Sequence, residues 1–169
     1  MIHSPSRLVL DSTVIIALGI LQRYDLLRWQ VLIPEGVLVE LKSELAQTTL
    51  ATLKKEEKAE IMRPNAEMRK KALAILGDQE ETGDSDLIAT VLELEDVVIA
   101  TDDRRLRTIC KVLGAQVTGT LGIIVDAVQR GFLSGEEGKE LLKKLDASGF
   151  RMTVALYEKA LALMKKAKS

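Results

Sequence analysis

The stretch "VIATDDRRL", residues 98–106, places an apolar run directly before two carboxylates, Asp102 and Asp103. The residues up to Thr101 are mostly β-branched or small, as in a buried strand, and the arginines begin a segment with helical spacing. A strand that passes directly into a helix is the repeating unit of a parallel α/β sheet. Because ligands bind beyond the carboxyl ends of parallel strands, this acidic pair either caps the next helix or belongs to a site.

The same alternation of short apolar runs and helical segments extends along the chain in both directions. It predicts an α/β fold with a short-stranded parallel sheet, helices on both faces and a helical C-terminal tail. We expect a single domain over residues 1–169, with about 135–169 as its helical extension. The predicted strands are 7–11, 30–34, 96–101 and 115–119. The first predicted helices are 12–29, broken near Gly19, and 34–47, which starts at Pro34. Two more are expected within 48–76, separated by residues 63–65, and another over 85–95, after an acidic loop at 77–86. The last are 103–114, stopped by Gly114, and the segments of 120–169 between breaks at 131–138 and 148–149.

Composition excludes several classes of protein. The net charge is −1 and aromatic residues make up 3%, so no global basic field or aromatic platform for nucleic acid is expected. The single cysteine, Cys110, lies in an apolar helical pattern and is expected in the core. With His3 as the only histidine, Ser-His or Cys-His catalysis and a zinc site are excluded. Asp11 interrupts the apolar segment 8–21, which is too short to span a bilayer, so we expect a cytoplasmic protein with no membrane contact.

Carboxylates occur at the ends of the predicted strands and near the starts of predicted helices. They are Asp11, Glu40, Asp84, Asp86, Asp102 and Asp103. Taken singly, an aspartate that precedes a helix is most often its N-cap. Glu40 is expected about a turn and a half inside its helix, at the rim of the apolar face, where a solvated glutamate is the ordinary interpretation.

As a group, these carboxylates predict a metal site. Asp11 and the 102–103 pair stand at carboxyl ends of parallel strands, and Asp86 and Glu40 can join them from adjoining helices. Neighbouring carboxylates raise one another's pKa, and a divalent cation removes that conflict. Mg²⁺ and Mn²⁺ take carboxylate and water ligands, which suits a histidine-poor chain. Such a metal turns an acidic pocket from repelling phosphate to binding it.

Four segments, in order, resemble the PIN-domain family, metal-dependent ribonucleases that include VapC-type toxins. They are "LVLDSTVIIAL" (8–18) with Asp11, "IPEGVLVELK" (33–42) with Glu40, "GDSDLIATVLEL" (83–94) with Asp86 in the acidic place, and the Thr-x-Asp pattern of "VIATDDRRL" (98–106) with Asp103. The stretches at 117–135 and 147–167 resemble one prokaryotic PIN subfamily of largely uncharacterised proteins. That subfamily often has "GEAEAI" where this chain has "GDSDLI", so Asp84 is a further candidate ligand.

The resemblance implies a three-layer α/β/α PIN-like fold and a metal-dependent endoribonuclease. The implied catalytic and metal-binding residues are Asp11, Glu40, Asp86 and Asp103, with Asp84 and Asp102 as further metal candidates; the implied orienting or substrate-binding residues are Ser12, Thr13, Thr101, Arg104 and Arg105. One or two Mg²⁺ or Mn²⁺ ions would be bound, and water would attack the phosphodiester in line. The family also implies an RNA substrate, an antitoxin protein as partner and a homodimer.

Two other functions stay open at this point. A metal-dependent phosphatase could use Asp11 as nucleophile, although such enzymes usually show Asp-x-Asp and this chain has Thr13 two residues on. A catalytically silent PIN-like module could bind RNA or protein, although all four acidic positions are filled. A P-loop ATPase is disfavoured because the chain has no Walker sequence.

Overall fold

Short runs of apolar residues form the strands of one central sheet, because β-branched and leucine side chains pack well on a sheet covered on both faces. The computed structural model describes residues 7–166, and His3 lies outside the described residues. The described strands are all parallel and lie in the order β3-β2-β1-β4-β5. They are β1 (Arg7–Leu10), β2 (Val31–Pro34), β3 (Ala59–Met62), β4 (Val97–Ala100) and β5 (Gln116–Thr118).

Helices cover both faces of this sheet, because successive strand side chains point to opposite sides. The helices are α1 (Ser12–Leu21), α2 (Glu35–Leu38), α3 (Glu44–Lys55), α4 (Ala66–Leu76), α5 (Gly83–Glu93), α6 (Arg104–Val112), α7 (Thr120–Gln129), α8 (Gly135–Ala147) and α9 (Val154–Lys166), with a short 3₁₀ helix at Tyr24–Leu26. Val9 and Ile99 belong to the buried cluster with α4, α5 and α6. Leu8 and Leu10 belong to the other cluster, with α1, α3 and α7 to α9. The predicted three-layer α/β/α architecture is therefore confirmed.

The sheet order creates a crevice at the carboxyl end of β1. From β1 the chain builds β2 and β3 on one side, and then crosses over to build β4 and β5 on the other. Ligands of open α/β sheets bind where the strand order reverses in this way. The reversal places Asp11 beside the residues that follow β4.

The helix predicted over 12–29 is wrong in extent. It ends at Leu21, where Gln22 takes a left-handed conformation and its N–H bonds to Leu18 O. The expected break near Gly19 is also wrong: Gly19 is buried within α1, where a side chain would collide with Thr49 of α3. The glycine serves close helix packing instead of a break.

The single helix predicted over 34–47 is two helices. Pro34 ends β2 and precedes the one-turn α2, and Ser43 starts α3 by accepting a hydrogen bond from Ala46 N (3.1 Å). This N-cap explains the interruption, because a serine side chain competes for backbone donors that a continuous helix would use. Glu40 therefore lies in the connection between α2 and α3, and its predicted place inside a helix is wrong.

The segment 48–76 contains a strand that the sequence prediction missed. β3 pairs with β2 at the edge of the sheet, and its residues are only partly buried. An edge strand with one partner lacks the continuous apolar run that marked the buried strands. The helix predicted over 85–95 also starts earlier, at Gly83, because Thr82 and Ser85 form a capping box.

The predictions for the four strands, for Gly114 and for Cys110 are confirmed. The four predicted strands agree with the structure to within one residue at each end, and Gly114 follows α6 with φ +85°. Cys110 is buried in the core, and burial raises the pKa of its thiol to about 11. Residues 135–166 pack on the same cluster as β1, through Leu142 and Met164 among others. None of the helices in residues 7–166 has the length and apolar character that a membrane span requires.

Candidate metal centre at the ends of the strands

Three carboxylates meet where β1 ends. One oxygen each from Asp11, Glu40 and Asp84 lie within 4.8 Å of one another. Asp11 is buried, Asp84 is half-buried and Glu40 is exposed, so the group opens to solvent on one side. We call these three residues the acidic cluster. Among residues 7–166, no ion pair includes any of them.

Asp11 is held by donors from two neighbouring strand ends. Its Oδ1 accepts from Ser12 N (2.8 Å), which makes it the N-cap of α1. Its Oδ2 accepts from Thr13 Oγ1 (2.9 Å) and from Thr101 Oγ1 (2.7 Å). The threonines are tied in turn, because Asp102 N donates to Thr13 Oγ1 and Asp103 N donates to Thr101 Oγ1. The capping role and the site role of Asp11 therefore coexist.

Glu40 reaches the cluster from the connection after α2. Ser12 Oγ donates to its Oε2 at 2.7 Å, which links the first two acidic segments directly. Gly83, the first residue of α5, gives Glu40 its room, since a Cβ there would collide with the Glu40 carboxylate. The absence of a side chain at position 83 thus lets Glu40 and α5 approach closely.

Within the acidic cluster, Asp84 is the residue whose pKa is raised. Its pKa is raised from 3.8 to about 6, first by burial and then by the charges of Glu40, Asp11 and Asp103, while Arg105 lowers it. A carboxyl that other carboxylates destabilise in its charged form is a carboxyl that gains from a bound cation. The same interactions show that Asp103 and Arg105 lie close to the cluster.

The adjacent aspartates Asp102 and Asp103 play different parts. Asp103 is exposed and N-caps α6, with Oδ1 accepting from Leu106 N (2.8 Å). Asp102 turns towards the start of α7, where it accepts from Thr120 N (2.8 Å) and Thr120 Oγ1 (2.6 Å). Burial raises the pKa of Asp102, while the bonds from Thr120 and the charge of Arg107 lower it. Asp102 thus fixes α7, and Asp103 remains beside the cluster.

Asp86 does not join the other carboxylates. Its Oδ2 accepts from Gly36 N at 2.7 Å, and the side chain points to α2 instead of towards Asp11. Burial raises the pKa of Asp86, and the bond from Gly36 lowers it. Because two helical residues separated by one position point about 200° apart, Asp84 and Asp86 cannot face the same ion. The capping box at Thr82 places Asp84 in the first turn of α5, but it does not decide which aspartate faces β1.

Some of the basic residues after β4 form hydrogen bonds that hold the fold together. Arg107 Nη1 donates to Thr101 O (2.9 Å) and Thr118 O (2.7 Å), which ties the ends of β4 and β5 together. Arg105 Nη2 donates to Leu76 O (2.8 Å), and its charge is felt at the cluster. Arg104 is exposed at the first position of α6. Of the three, Arg104 and Arg105 offer positive charge beside the acids.

The donor set fits a hard divalent cation. Mg²⁺ lies about 2.0–2.1 Å from each ligand, so its ligand oxygens are about 3 to 4 Å apart, and the cluster reaches this spacing with a small contraction. Every side-chain ligand is a carboxylate oxygen, as Mg²⁺ and Mn²⁺ prefer. The solvent-facing side leaves room for water and for a phosphate oxygen.

The chain is similar to one known protein family over almost its whole length. A family model described as a PIN domain (DUF3368) matches residues 7–166. No similar sequence was found among curated proteins. Among solved structures, the chain is similar to one in the crystal structure of VapBC2 from Rickettsia felis bound to a DNA fragment from their promoter. The identity is 15%, the match covers 67% of this chain and 98% of that chain, and the TM-score is 0.43.

Proposed function

The chain belongs to the PIN-domain family, and we propose that it is a metal-dependent endoribonuclease. The observation that carries the proposal is the convergence of Asp11, Glu40 and Asp84 within 4.8 Å, with no ion pair to any of them among the described residues. Such a group is unfavourable by itself and becomes favourable around a divalent ion. PIN domains are typically nucleases, which agrees with this chemistry.

Each residue of the cluster has a distinct task in this proposal. Asp11, which is fixed by Thr13 and Thr101, is the rigid ligand. Glu40 and Asp84 complete the set from two other elements, α2's connection and α5. Mg²⁺ or Mn²⁺ held there would neutralise charge on the phosphodiester and lower the pKa of water for attack on phosphorus.

Asp103 and the nearby arginines support substrate binding in the same proposal. Asp103 is exposed beside the cluster and is the fourth acid, available to a second ion or to the attacking water. Arg104 and Arg105 would contact the phosphates on either side of the cleaved bond, because cations next to the metal position the backbone. An RNA substrate, an antitoxin partner and a homodimer remain predictions from the family resemblance, as does a cytoplasmic location.

Cleavage of a pool of labelled single-stranded RNAs tests the proposal. Wild type should cleave with Mn²⁺ or Mg²⁺ and lose cleavage in EDTA. Asp11→Asn should remove cleavage, whereas Glu80→Gln, an exposed acid in the loop before α5, should leave it intact. Cleavage by Asp11→Asn at the wild-type rate would overturn the assignment. Hydrolysis of a phosphomonoester, with the RNA pool intact, would favour the phosphatase instead.

A further inference from the structure

The helix that leads to Glu40 is a single turn without a cap of its own. α2 covers only Glu35–Leu38, and the residue before it, Pro34, makes no side-chain hydrogen bond to its first turn. A helix leaves its first four N–H groups without internal partners, and a single turn forms few bonds of its own. The place of α2 in the fold therefore depends on contacts that other elements provide.

Asp86 of α5 supplies the missing cap. Its Oδ2 accepts a hydrogen bond from Gly36 N at 2.7 Å, and Gly36 is the second residue of α2. An N-cap side chain ordinarily satisfies the second or third N–H of its own helix, and here a residue 50 positions away in the chain takes that role. Asp86 is 5% exposed, so little water competes for the bond.

The contact between α2 and α5 leaves no room for a side chain at Gly36. A Cβ there would lie 2.7 Å from Asp86 Oδ2 and 2.9 Å from Thr82 O, which is a backbone atom and cannot turn aside. The backbone of α2 therefore lies directly on the first turn of α5. This close approach fixes the distance between the two helices at the start of α2.

The other end of α2 leads Glu40 onto the same turn of α5. Glu40 N donates to Val37 O (3.1 Å), and both Val37 and Leu41 are fully buried. The Glu40 carboxylate lies against Gly83, which immediately precedes Asp84. Glu40 and Asp84 therefore keep their spacing only while α2 stays docked on α5.

We propose that Asp86 is a positioning residue: by capping α2 from α5, it holds Glu40 at the distance from Asp84 that a divalent ion requires. The inference rests on the proposed function and adds a residue that acts on the ion through Glu40, without contacting the ion itself. It gives a task to the acidic residue of the third segment, for which the family resemblance implied a metal ligand.

Mn²⁺ affinity, measured from the EPR signal of the free ion, separates a positioning residue from a ligand. Asp86→Ala removes the acceptor and should weaken binding by about tenfold. Asp86→Asn keeps an oxygen for Gly36 N and should stay within about threefold of wild type, whereas Asp84→Asn should not. Ser134→Ala is the matched control, because it removes the N-cap of α8 and should leave the affinity unchanged. Equal losses in Asp86→Asn and Asp86→Ala would make Asp86 a ligand and overturn the inference.

A double-mutant cycle shows whether Asp86 acts through Glu40. In the Glu40→Ala background no ligand is left for α2 to position, so adding Asp86→Ala should change the Mn²⁺ affinity by less than about threefold. The same tenfold loss in both backgrounds would mean a general effect on the fold. No loss in the wild-type background would mean that α2 stays in place without this cap. Either result would overturn the inference.

Amide hydrogen exchange in the metal-free protein gives a readout that does not depend on the proposed function. Asp86→Ala should speed exchange at Gly36 N–H and at Glu40 N–H by about tenfold, and Asp86→Asn should not. A wild type that binds no Mn²⁺ would overturn the nuclease, and faster exchange at Glu40 in Asp86→Ala would still support the positioning role. Faster exchange at Gly36 alone would overturn that role and leave the nuclease intact.

Discussion

Two acidic groups stand side by side at the same end of the sheet, and they differ in their neighbours: burial raises the pKa of both Asp102 and Asp84, but only Asp84 also has several carboxylates that raise it further. The Asp102 carboxylate has its partners within the protein, because Thr120 donates a hydrogen bond to each of its oxygens and the positive charge of Arg107 lies near. The acidic cluster has donors for Asp11, but its other near neighbours include more carboxylates, and these help to raise the pKa of Asp84 to about 6. Asp102 and the Asp11 member of the cluster arise in the same way, as aspartates that follow parallel strands.

The difference separates a structural carboxylate from a functional one. A buried acid that stabilises a fold receives donors and a cation from the protein itself. An acid that is placed against other acids gains its compensation only from something that binds. Removing the Asp102 carboxylate should therefore lower the stability of the fold. Removing the Asp84 carboxylate should lower activity and raise the stability of the fold in the absence of metal.

The largest expected effect is on cleavage by the Asp84→Asn variant. Loss of one anionic ligand should lower the rate of RNA cleavage by about 10²- to 10³-fold, because the ion's charge stabilisation is weakened. Asp102→Asn should stay within about tenfold of wild type, since the amide oxygen still accepts from Thr120 N. Single-turnover rates with saturating Mn²⁺ measure both. Equal losses in the two variants would erase the distinction between the groups.

The next effect concerns the glycine that makes room for Glu40. Gly83→Ala should reduce Mn²⁺ affinity and cleavage by about tenfold, because the added methyl group displaces the Glu40 carboxylate. Gly135→Ala is the matched control: it also stands at the first residue of a helix, and its new methyl group would meet nothing within 4 Å. Calorimetric titration with Mn²⁺ compares them. If both variants bound the ion as wild type does, Glu40 would not be a ligand in the observed position.

A smaller effect is expected for stability at the satisfied acid. Asp102→Ala leaves the buried Thr120 without its acceptor and should lower the free energy of unfolding by about 2 kcal/mol. For a domain of this size, that corresponds to a Tm lower by about 4–8 °C. Thermal unfolding followed by circular dichroism in EDTA measures it. An unchanged Tm would mean that Asp102 does not hold α7.

The smallest effect is a gain of stability, and it depends on pH. The folded-state pKa of Asp84, about 6, lies above its ordinary value of 3.8, so its contribution to stability is full below about pH 4 and is lost as pH rises through 6. Asp84→Asn removes that loss and should raise the Tm of metal-free protein at pH 7.5 by about 2–4 °C, which corresponds to ~1 kcal/mol after allowance for solvent screening. The gain should vanish towards pH 4. A lower Tm at pH 7.5 would contradict the proposed repulsion.

The sequence predicted the sheet well because β1, β2 and β4 are short, buried apolar runs, and the fourth predicted strand, the edge strand β5, follows the helix stop at Gly114. It missed β3, whose edge position gives it a mixed polar pattern, and it joined α2 to α3 because Ser43 gives no periodic signal. Both errors come from tertiary contacts, which override local spacing.

The site was predicted in its outline and not in its detail. Asp11 is placed by strand geometry alone, whereas the orientation of Asp84 and Asp86 depends on the rotation of α5 about its axis. That rotation is set by the Thr82 cap and by the approach of Gly36 to Asp86, contacts between residues far apart in sequence. Spacing alone therefore identifies the segment and leaves the ligand undecided.

The most direct test of the account is the position of Mn²⁺ in crystals grown with the ion and mapped by its anomalous scattering. We predict a peak bounded by carboxylate oxygens of Asp11, Glu40 and Asp84, with Asp86 still bonded to Gly36 N. A peak on Asp102 or Asp86, or no peak at the cluster under conditions that support cleavage, would contradict the central claim.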